Sequence, residues 1–66
     1  MKNKDYTKKE LRVIETLERL KTVPTSRISN EIKSNYFSTL TILEELLKRK
    51  VIQRIKSNKY VYWELR

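Results

Sequence analysis

The spacing of apolar residues changes once along this chain, close to Lys50. Before that point, apolar residues recur every three or four positions, which is the period of an α-helix with one buried side. After it, apolar and polar residues alternate, as in a strand with one buried face. A two-stranded hairpin is not stable by itself in water, so the strands must pack against the helices. The sequence therefore predicts an α+β fold with helices first and a C-terminal β-hairpin.

Three helices are predicted before the change of period. Thr7 and Glu10 have the spacing of a capping box, in which each side chain bonds the backbone amide of the other residue. Pro24 ends the first helix, because the residue before a proline is pushed out of helical geometry. Thr25 or Ser26 is then expected to cap the second helix. The predicted helices cover 8–21, a short segment after this cap that includes Ile28 and Ile32, and 36–49, with a polar turn at 33–35.

The third helix is amphipathic, and two strands follow it. Its predicted buried stripe consists of Tyr36, Leu40, Leu43 and Leu47, flanked by Ile42 and Leu46. Its opposite face consists of Phe37, Ser38, Thr41, Glu44, Glu45 and Lys48. The strands are predicted over 51–56 and 60–65, around a turn at 57–59.

The residue types that are missing exclude most chemistry. The chain has 66 residues, which is enough for one domain over 1–66, and residues 1–5 are expected to be frayed. It contains neither Cys nor His, so disulfides, thiolate nucleophiles, the usual zinc ligands and the usual general base are all absent. We therefore expect no enzyme, no cofactor and no metal.

The charge balance favours an anionic partner. Lys and Arg number 16 against 8 Asp and Glu, a net charge of +8 that is spread along the chain rather than gathered in a tail. Such a domain attracts nucleic acid, because each neutralised phosphate releases counterions. No membrane span or signal peptide is visible, so a cytoplasmic protein is expected. The absence of Ala and Gly indicates AT-rich coding, as in many viral and plasmid genes.

A set of apolar positions carries a family resemblance. Ile32 fits the apolar end of a second helix, and Leu43 and Leu46 fit a Leu-x-x-Leu pair in a third. The apolar pair Val51-Ile52, followed by Arg54, fits the start of a wing. In these positions the chain resembles the winged helix-turn-helix family of transcription regulators, the MarR-like and ArsR-like group in the broad sense. The resemblance covers about half of the chain in motif and nearly all of it in element order.

Two positions depart from the family pattern. Lys50 stands where the family has Gly, so either a strained left-handed residue or a different turn is expected there. Ser34 stands where the family often has a small apolar residue.

The resemblance implies a small transcription regulator that binds double-stranded DNA, with the third helix in the major groove and the 54–60 wing on the backbone or minor groove. By position, the base-reading candidates are Tyr36, Phe37, Ser38 and Thr41. Their hydroxyls can meet polar base edges, and Thr or Phe carbons can meet a thymine methyl. No Arg, Asn or Gln lies on that part of the helix, so we expect modest sequence discrimination or readout of DNA shape.

Phosphate contacts are expected from hydroxyls at the start of the second helix and from cations around it, the third helix and the wing. The candidates are Thr25, Ser26, Arg27, Lys33, Asn35, Lys48, Arg54, Lys56, Asn58 and Lys59. The Lys residues of the first helix are interpreted only as a solvated face.

The aromatic residues leave alternatives open. Tyr36 lies on the predicted buried stripe by angle, so it belongs either to the core or to the base-reading set. Phe37 either closes the turn against the second helix or lies in a dimer contact. Tyr60, Tyr62 and Trp63 are expected to pack the hairpin on the helices rather than to stack on bases.

Two other binding functions compete with the first. A winged helix that binds another protein is the main alternative, because Glu44 and Glu45 on the third helix repel phosphate. The other alternative is a winged helix that binds Z-form nucleic acid. Trp63 stands at the position where that group has an aromatic residue on its wing. Leu40 and Glu44, however, stand where that group uses Asn and Tyr, which disfavours it.

A homodimer is expected, because regulators of this fold read two half-sites one helical turn apart. The N-terminus with the first helix, or the edge of the C-terminal strand, would form the contact. The small core leaves no room for an effector pocket, so no small-molecule effector is expected.

Overall fold

The computed structural model describes residues 6–66 as three α-helices and a three-stranded antiparallel sheet. The predicted fraying of residues 1–5 lies outside the described residues. The elements are α1 (Lys8–Leu20), β1 (Val23–Pro24), α2 (Thr25–Ile32), α3 (Tyr36–Lys48), β2 (Ile52–Ser57) and β3 (Tyr60–Leu65). This order confirms the predicted α+β winged helix-turn-helix fold. In the part described, each helix is too short or too polar to span a bilayer.

The start of α1 confirms the predicted capping box. The Thr7 hydroxyl accepts a hydrogen bond from the Glu10 amide at 3.1 Å, and the Glu10 carboxylate accepts one from the Thr7 amide at 2.9 Å. Two of the amides that lack a partner inside the helix are thereby satisfied.

The predicted cap of α2 is wrong. Pro24 occupies the N-cap position, and no side chain makes a capping hydrogen bond there. Thr25 is the first helical residue, and it is buried. Its hydroxyl accepts a hydrogen bond from the indole N–H of Trp63 at 2.8 Å. The hydroxyl therefore satisfies a buried donor instead of capping the helix.

The sheet contains a short strand that the periodicity does not indicate. In β1, Val23 pairs with Trp63 and Pro24 pairs with Tyr62, which gives the strand order β1-β3-β2. Pro24 is tolerated because β1 is an edge strand. β3 is therefore the central strand, and the expectation that its edge could hold a dimer is wrong where β1 covers it.

The buried face of α3 is rotated relative to the predicted stripe. Thr39 is fully buried with Leu43 and Leu46, whereas Tyr36 is about half exposed. Thr39 is accommodated because its hydroxyl donates to the Asn35 carbonyl at 2.8 Å, so no polar group is left unpaired. The rotation moves Tyr36 out of the core, which resolves its two alternatives in favour of the surface.

One core joins all three helices to the sheet. Trp63 and Ile52 extend from the sheet into it. Trp63 is 1% exposed and Tyr60 is 62% exposed, so the prediction that the aromatic cluster packs the hairpin on the helices is confirmed for Trp63 and wrong for Tyr60. The buried apolar residues are Val13, Ile14, Leu17, Val23, Ile28, Ile32, Leu43, Leu46, Ile52 and Trp63.

Left-handed residues make the tight turns of this glycine-free chain. Lys50 has φ 62°, so the strained alternative predicted for this position is confirmed. Lys33 and Asn58 also lie in the left-handed region, with φ 55° at each. Lys33 ends α2, and Asn58 begins the turn of the hairpin. A lysine with this backbone geometry is destabilised by contact between its Cβ and the backbone.

Candidate nucleic-acid interface

The N-terminal half of α3 presents the four base-reading candidates to solvent. Phe37 is 79% exposed and Tyr36 is 49% exposed, and Ser38 and Thr41 are also exposed. The exposure of Phe37 shows that it does not close the turn against α2. No carboxylate occurs between Tyr36 and Leu43, so this half of the helix offers hydroxyl and aromatic groups without negative charge.

Tyr36 and Phe37 form an aromatic pair on this surface. Their ring centroids are 6.0 Å apart and their planes are inclined by 86°, which is the edge-to-face geometry that aromatic rings prefer. The contact restrains the exposed Phe37 ring without burying it.

Local hydrogen bonds limit what two of the polar candidates can do. The Asn35 side-chain carbonyl accepts from the Ser38 amide at 2.8 Å and caps α3. The Asn35 side-chain carbonyl therefore serves first as the cap of α3, and any contact with a ligand would be additional. The Thr41 hydroxyl donates back to the Phe37 carbonyl at 3.1 Å.

The start of α2 corrects one phosphate candidate. Thr25 is 6% exposed and its hydroxyl is occupied by Trp63, so it is not available to a phosphate. Ser26 beside it is exposed. Arg27 is exposed as well, but its Nε lies 3.2 Å from a Glu31 carboxylate oxygen.

Glu31 joins two cations on the surface of α1 and α2. It accepts from Arg19 at 2.8 Å and from Arg27 at 3.2 Å. The Arg19 guanidinium, helped by Arg27, holds the pKa of the Glu31 carboxyl below its usual value, although partial desolvation opposes the effect. A phosphate that binds Arg27 must therefore compete with Glu31.

The turn between α2 and α3 holds one cation that was predicted and one that was not. Lys33 is exposed at the end of α2, as a phosphate contact requires. The Lys9 ammonium donates to the Ser34 hydroxyl at 2.6 Å, which brings the start of α1 to this turn. Lys9 belongs to the face of α1 that the sequence predicts to be only solvated, since its neighbour is revealed only by the packing of α1.

The wing carries cations along its free end. In the β2–β3 register, Arg54 is opposite Trp63 and Lys56 is opposite Val61, so these side chains share the face of the hairpin that continues from the core. The Arg54 guanidinium lies 6.0 Å from the Trp63 ring centre. Arg54, Lys56, Asn58 and Lys59 are all exposed, as is Tyr60.

A cleft of about 230 Å³ joins the wing tip to the starts of α2 and α3. Lys59 of the wing, Ser26 of α2 and Tyr36 of α3 all line it, so candidates from three separate segments meet there. The lining residues are Pro24, Thr25, Ser26, Tyr36, Lys59, Tyr60 and Val61.

The C-terminal half of α3 has a different character. Glu44 and Glu45 are exposed there, and with Thr41, Lys48 and Arg54 they line a second cleft of about 480 Å³. Lys48 is thus near carboxylates as well as near the cation that opens the wing. Within residues 6–66, no group of three or more acidic, His or Cys side chains is placed to hold a metal ion.

The fold is shared with two solved structures. The crystal structure of NadR in complex with 4-hydroxyphenylacetate matches with a TM-score of 0.89 and 22% identity, covering 97% of this chain and 48% of that one. The transcriptional regulator PA4135 matches with a TM-score of 0.88 and 22% identity, covering 97% of this chain and 49% of that one. No family model matches the sequence, and no curated protein matches it significantly.

These likenesses confirm the fold and correct one expectation. The chain spans about half the length of the two regulators it matches. NadR, which contains this fold, was crystallised with 4-hydroxyphenylacetate. The small core led to the expectation that no small-molecule effector is involved. That expectation is wrong, because a protein with this fold binds a small molecule.

Proposed function

We propose that this domain binds double-stranded DNA as part of a transcription regulator, with the N-terminal half of α3 in the major groove and the wing on the backbone or minor groove. The observation that carries the proposal is the cleft where Lys59, Ser26 and Tyr36 meet. The cleft brings Tyr36, from the carboxylate-free half of α3, together with the wing cation Lys59, within a chain of net charge +8.

The distribution of carboxylates supports an orientation for α3. A helix with its side chains is about 10–12 Å across and fits a major groove about 12 Å wide. Glu44 and Glu45 are exposed in the C-terminal half and repel phosphate, whereas the first two turns carry no negative charge. The helix therefore enters the groove by its N-terminal end.

Phosphate contacts lie around the N-terminal end of α3, with Lys48 and Arg54 beside its C-terminal half, and they fix the register of the helix without reading sequence. Thr25 is left out of the proposed set because its hydroxyl bonds Trp63. The set consists of Ser26, Arg27, Lys33, Asn35, Lys48, Arg54, Lys56, Asn58 and Lys59, with Lys9 added at the α2–α3 turn.

A homodimer is part of the proposal. One module of this size buries about 600–1,000 Å² on DNA, and two copies on adjacent half-sites double the contact. Because β1 covers part of the β3 edge, the N-terminal segment and α1 are the proposed dimer contact.

The test is a salt series of binding to random duplex DNA, followed by fluorescence anisotropy. The wild type is expected to bind with a Kd of about 1–100 μM and to weaken steeply as salt rises. Lys56→Ala with Lys59→Ala removes two wing cations and is expected to reduce the slope of log Kd against log salt by about two. Lys21→Ala with Arg66→Ala removes the same charge at exposed positions outside the proposed DNA and dimer contacts, and it serves as the matched control.

The control distinguishes a direct contact between the wing and DNA from a general effect of lost positive charge. If both double variants lower the slope equally, the wing has no special part in binding. If the wild type does not bind duplex DNA at low salt, the DNA proposal fails. The exposed Glu44 and Glu45 then favour the second candidate, a winged helix that binds a basic protein surface.

A further inference from the structure

Phe37 is the most exposed large apolar side chain in residues 6–66, at 79%. Its phenyl ring has no hydrogen-bonding group, so it gains nothing from polar base edges or from phosphate. The edge-to-face contact with Tyr36 holds the ring at the surface. An apolar ring held this way, at the end of the helix proposed to enter the groove, needs an apolar partner.

The major groove of DNA offers one apolar group on its base edges, the C5-methyl of thymine. Thr41, one helical turn after Phe37, is the second source of apolar contact. Its hydroxyl is turned back to the Phe37 carbonyl at 3.1 Å, so its methyl is the part left to meet a base. The same helix half contains no Arg, Gln or Asn beyond the capping residue Asn35 to make a bidentate polar contact.

We infer that Phe37, supported by the Thr41 methyl, makes this domain a reader of pyrimidine C5-methyl groups in the major groove. This inference rests on the proposed DNA binding and gives it a specificity. Side chains that act as wedges between bases belong to proteins that bind the minor groove. Phe37 lies instead on a helix, the element that the major groove admits.

The test compares duplexes that differ only in this methyl group. An alternating A·T duplex is measured beside the same duplex with deoxyuridine in place of thymidine. A G·C duplex is measured beside its 5-methylcytosine form, which places a methyl at the same ring position. The wild type is expected to bind the methylated member of each pair about fourfold more tightly for each methyl buried, the value of one methylene-sized group.

Two variants test whether Phe37 is responsible for the preference for methylated duplexes. Phe37→Ala is expected to bring both ratios close to one, and because Phe37 is exposed the variant should melt at the wild-type temperature. Lys56→Ala with Lys59→Ala is expected to weaken binding to all four duplexes while it leaves both ratios unchanged.

The possible outcomes distinguish the readout of methyl groups from the proposed DNA binding on which it rests. Salt-dependent binding with equal affinity for thymine and uracil duplexes overturns the methyl readout and leaves DNA binding intact. Failure to bind any duplex removes both. Sedimentation of the free protein supplies the other decisive result, since a dimer that Phe37→Ala dissociates assigns this ring to self-association and overturns the inference.

Discussion

The indole Nε1 of Trp63 donates a hydrogen bond to the Thr25 hydroxyl at 2.8 Å, and both side chains are buried. This bond ties the central strand of the sheet to the first residue of α2. It also accounts for a threonine at a buried position where an apolar residue would otherwise pack equally well.

Thr25→Val is expected to destabilise the domain by about 1–3 kcal/mol, because it leaves the buried indole N–H without an acceptor while the side-chain shape is kept. Urea unfolding followed by Trp63 fluorescence measures the change. Thr25→Ser keeps the acceptor and is the control. A loss in Thr25→Val no larger than that in Thr25→Ser, which lacks only the methyl group, would contradict a dominant role for the hydrogen bond.

Lys50→Gly is expected to stabilise the domain by about 1 kcal/mol, because glycine adopts the left-handed geometry at φ 62° without a Cβ contact. Thermal unfolding gives the value. Lys48→Gly makes the same chemical change at a helical position and should destabilise instead. A loss of stability in Lys50→Gly would show that the lysine side chain contributes more than its backbone strain.

Arg19→Gln is expected to raise the pKa of Glu31 toward its ordinary value of 4.5, and by more than Arg27→Gln does, since Arg19 is the main cause of the lowered pKa. The folded pKa lies below the unfolded one, so the two ion pairs contribute stability above pH 4.5 that is lost as pH falls through the folded value. A carboxyl NMR titration of the three proteins measures this. The reverse ranking of the two variants would contradict the assignment.

Glu31→Gln is expected to strengthen binding to duplex DNA, because it frees Arg27 from the 3.2 Å ion pair that competes with phosphate. The salt slope should steepen by about one. Glu15→Gln, at an exposed site on α1, removes the same charge and is the control. If the two variants strengthen binding equally, only the net charge matters and Arg27 is not a phosphate contact.

Much of this architecture is encoded locally and is therefore predictable. The capping box at Thr7 and Glu10 depends on a spacing within one helical turn, and the α3 cap and hairpin depend on neighbouring residues. The strain at Lys50 is one of two alternatives that the missing glycine leaves open, and the backbone geometry decides between them.

The remaining features depend on contacts distant in sequence. Two residues are too few for β1 to show a strand period, and its pairing with Trp63 exists only in the folded chain. The rotation of α3 depends on a buried Thr39 whose local hydrogen bond makes it acceptable in the core. Lys9 meets Ser34 across 25 positions, which no periodicity can reveal.

The short strand β1 has a mechanical consequence for the wing. It pairs with β3 only at Trp63 and Tyr62, and Trp63 is also buried in the core. From Lys56 to Tyr60 the hairpin extends beyond this support with exposed side chains. The core thus supports the hairpin only at the end that contains Trp63. A small tilt of the sheet at Trp63 and Thr25 is therefore expected to displace Lys59, at the far end of the hairpin, by a larger distance.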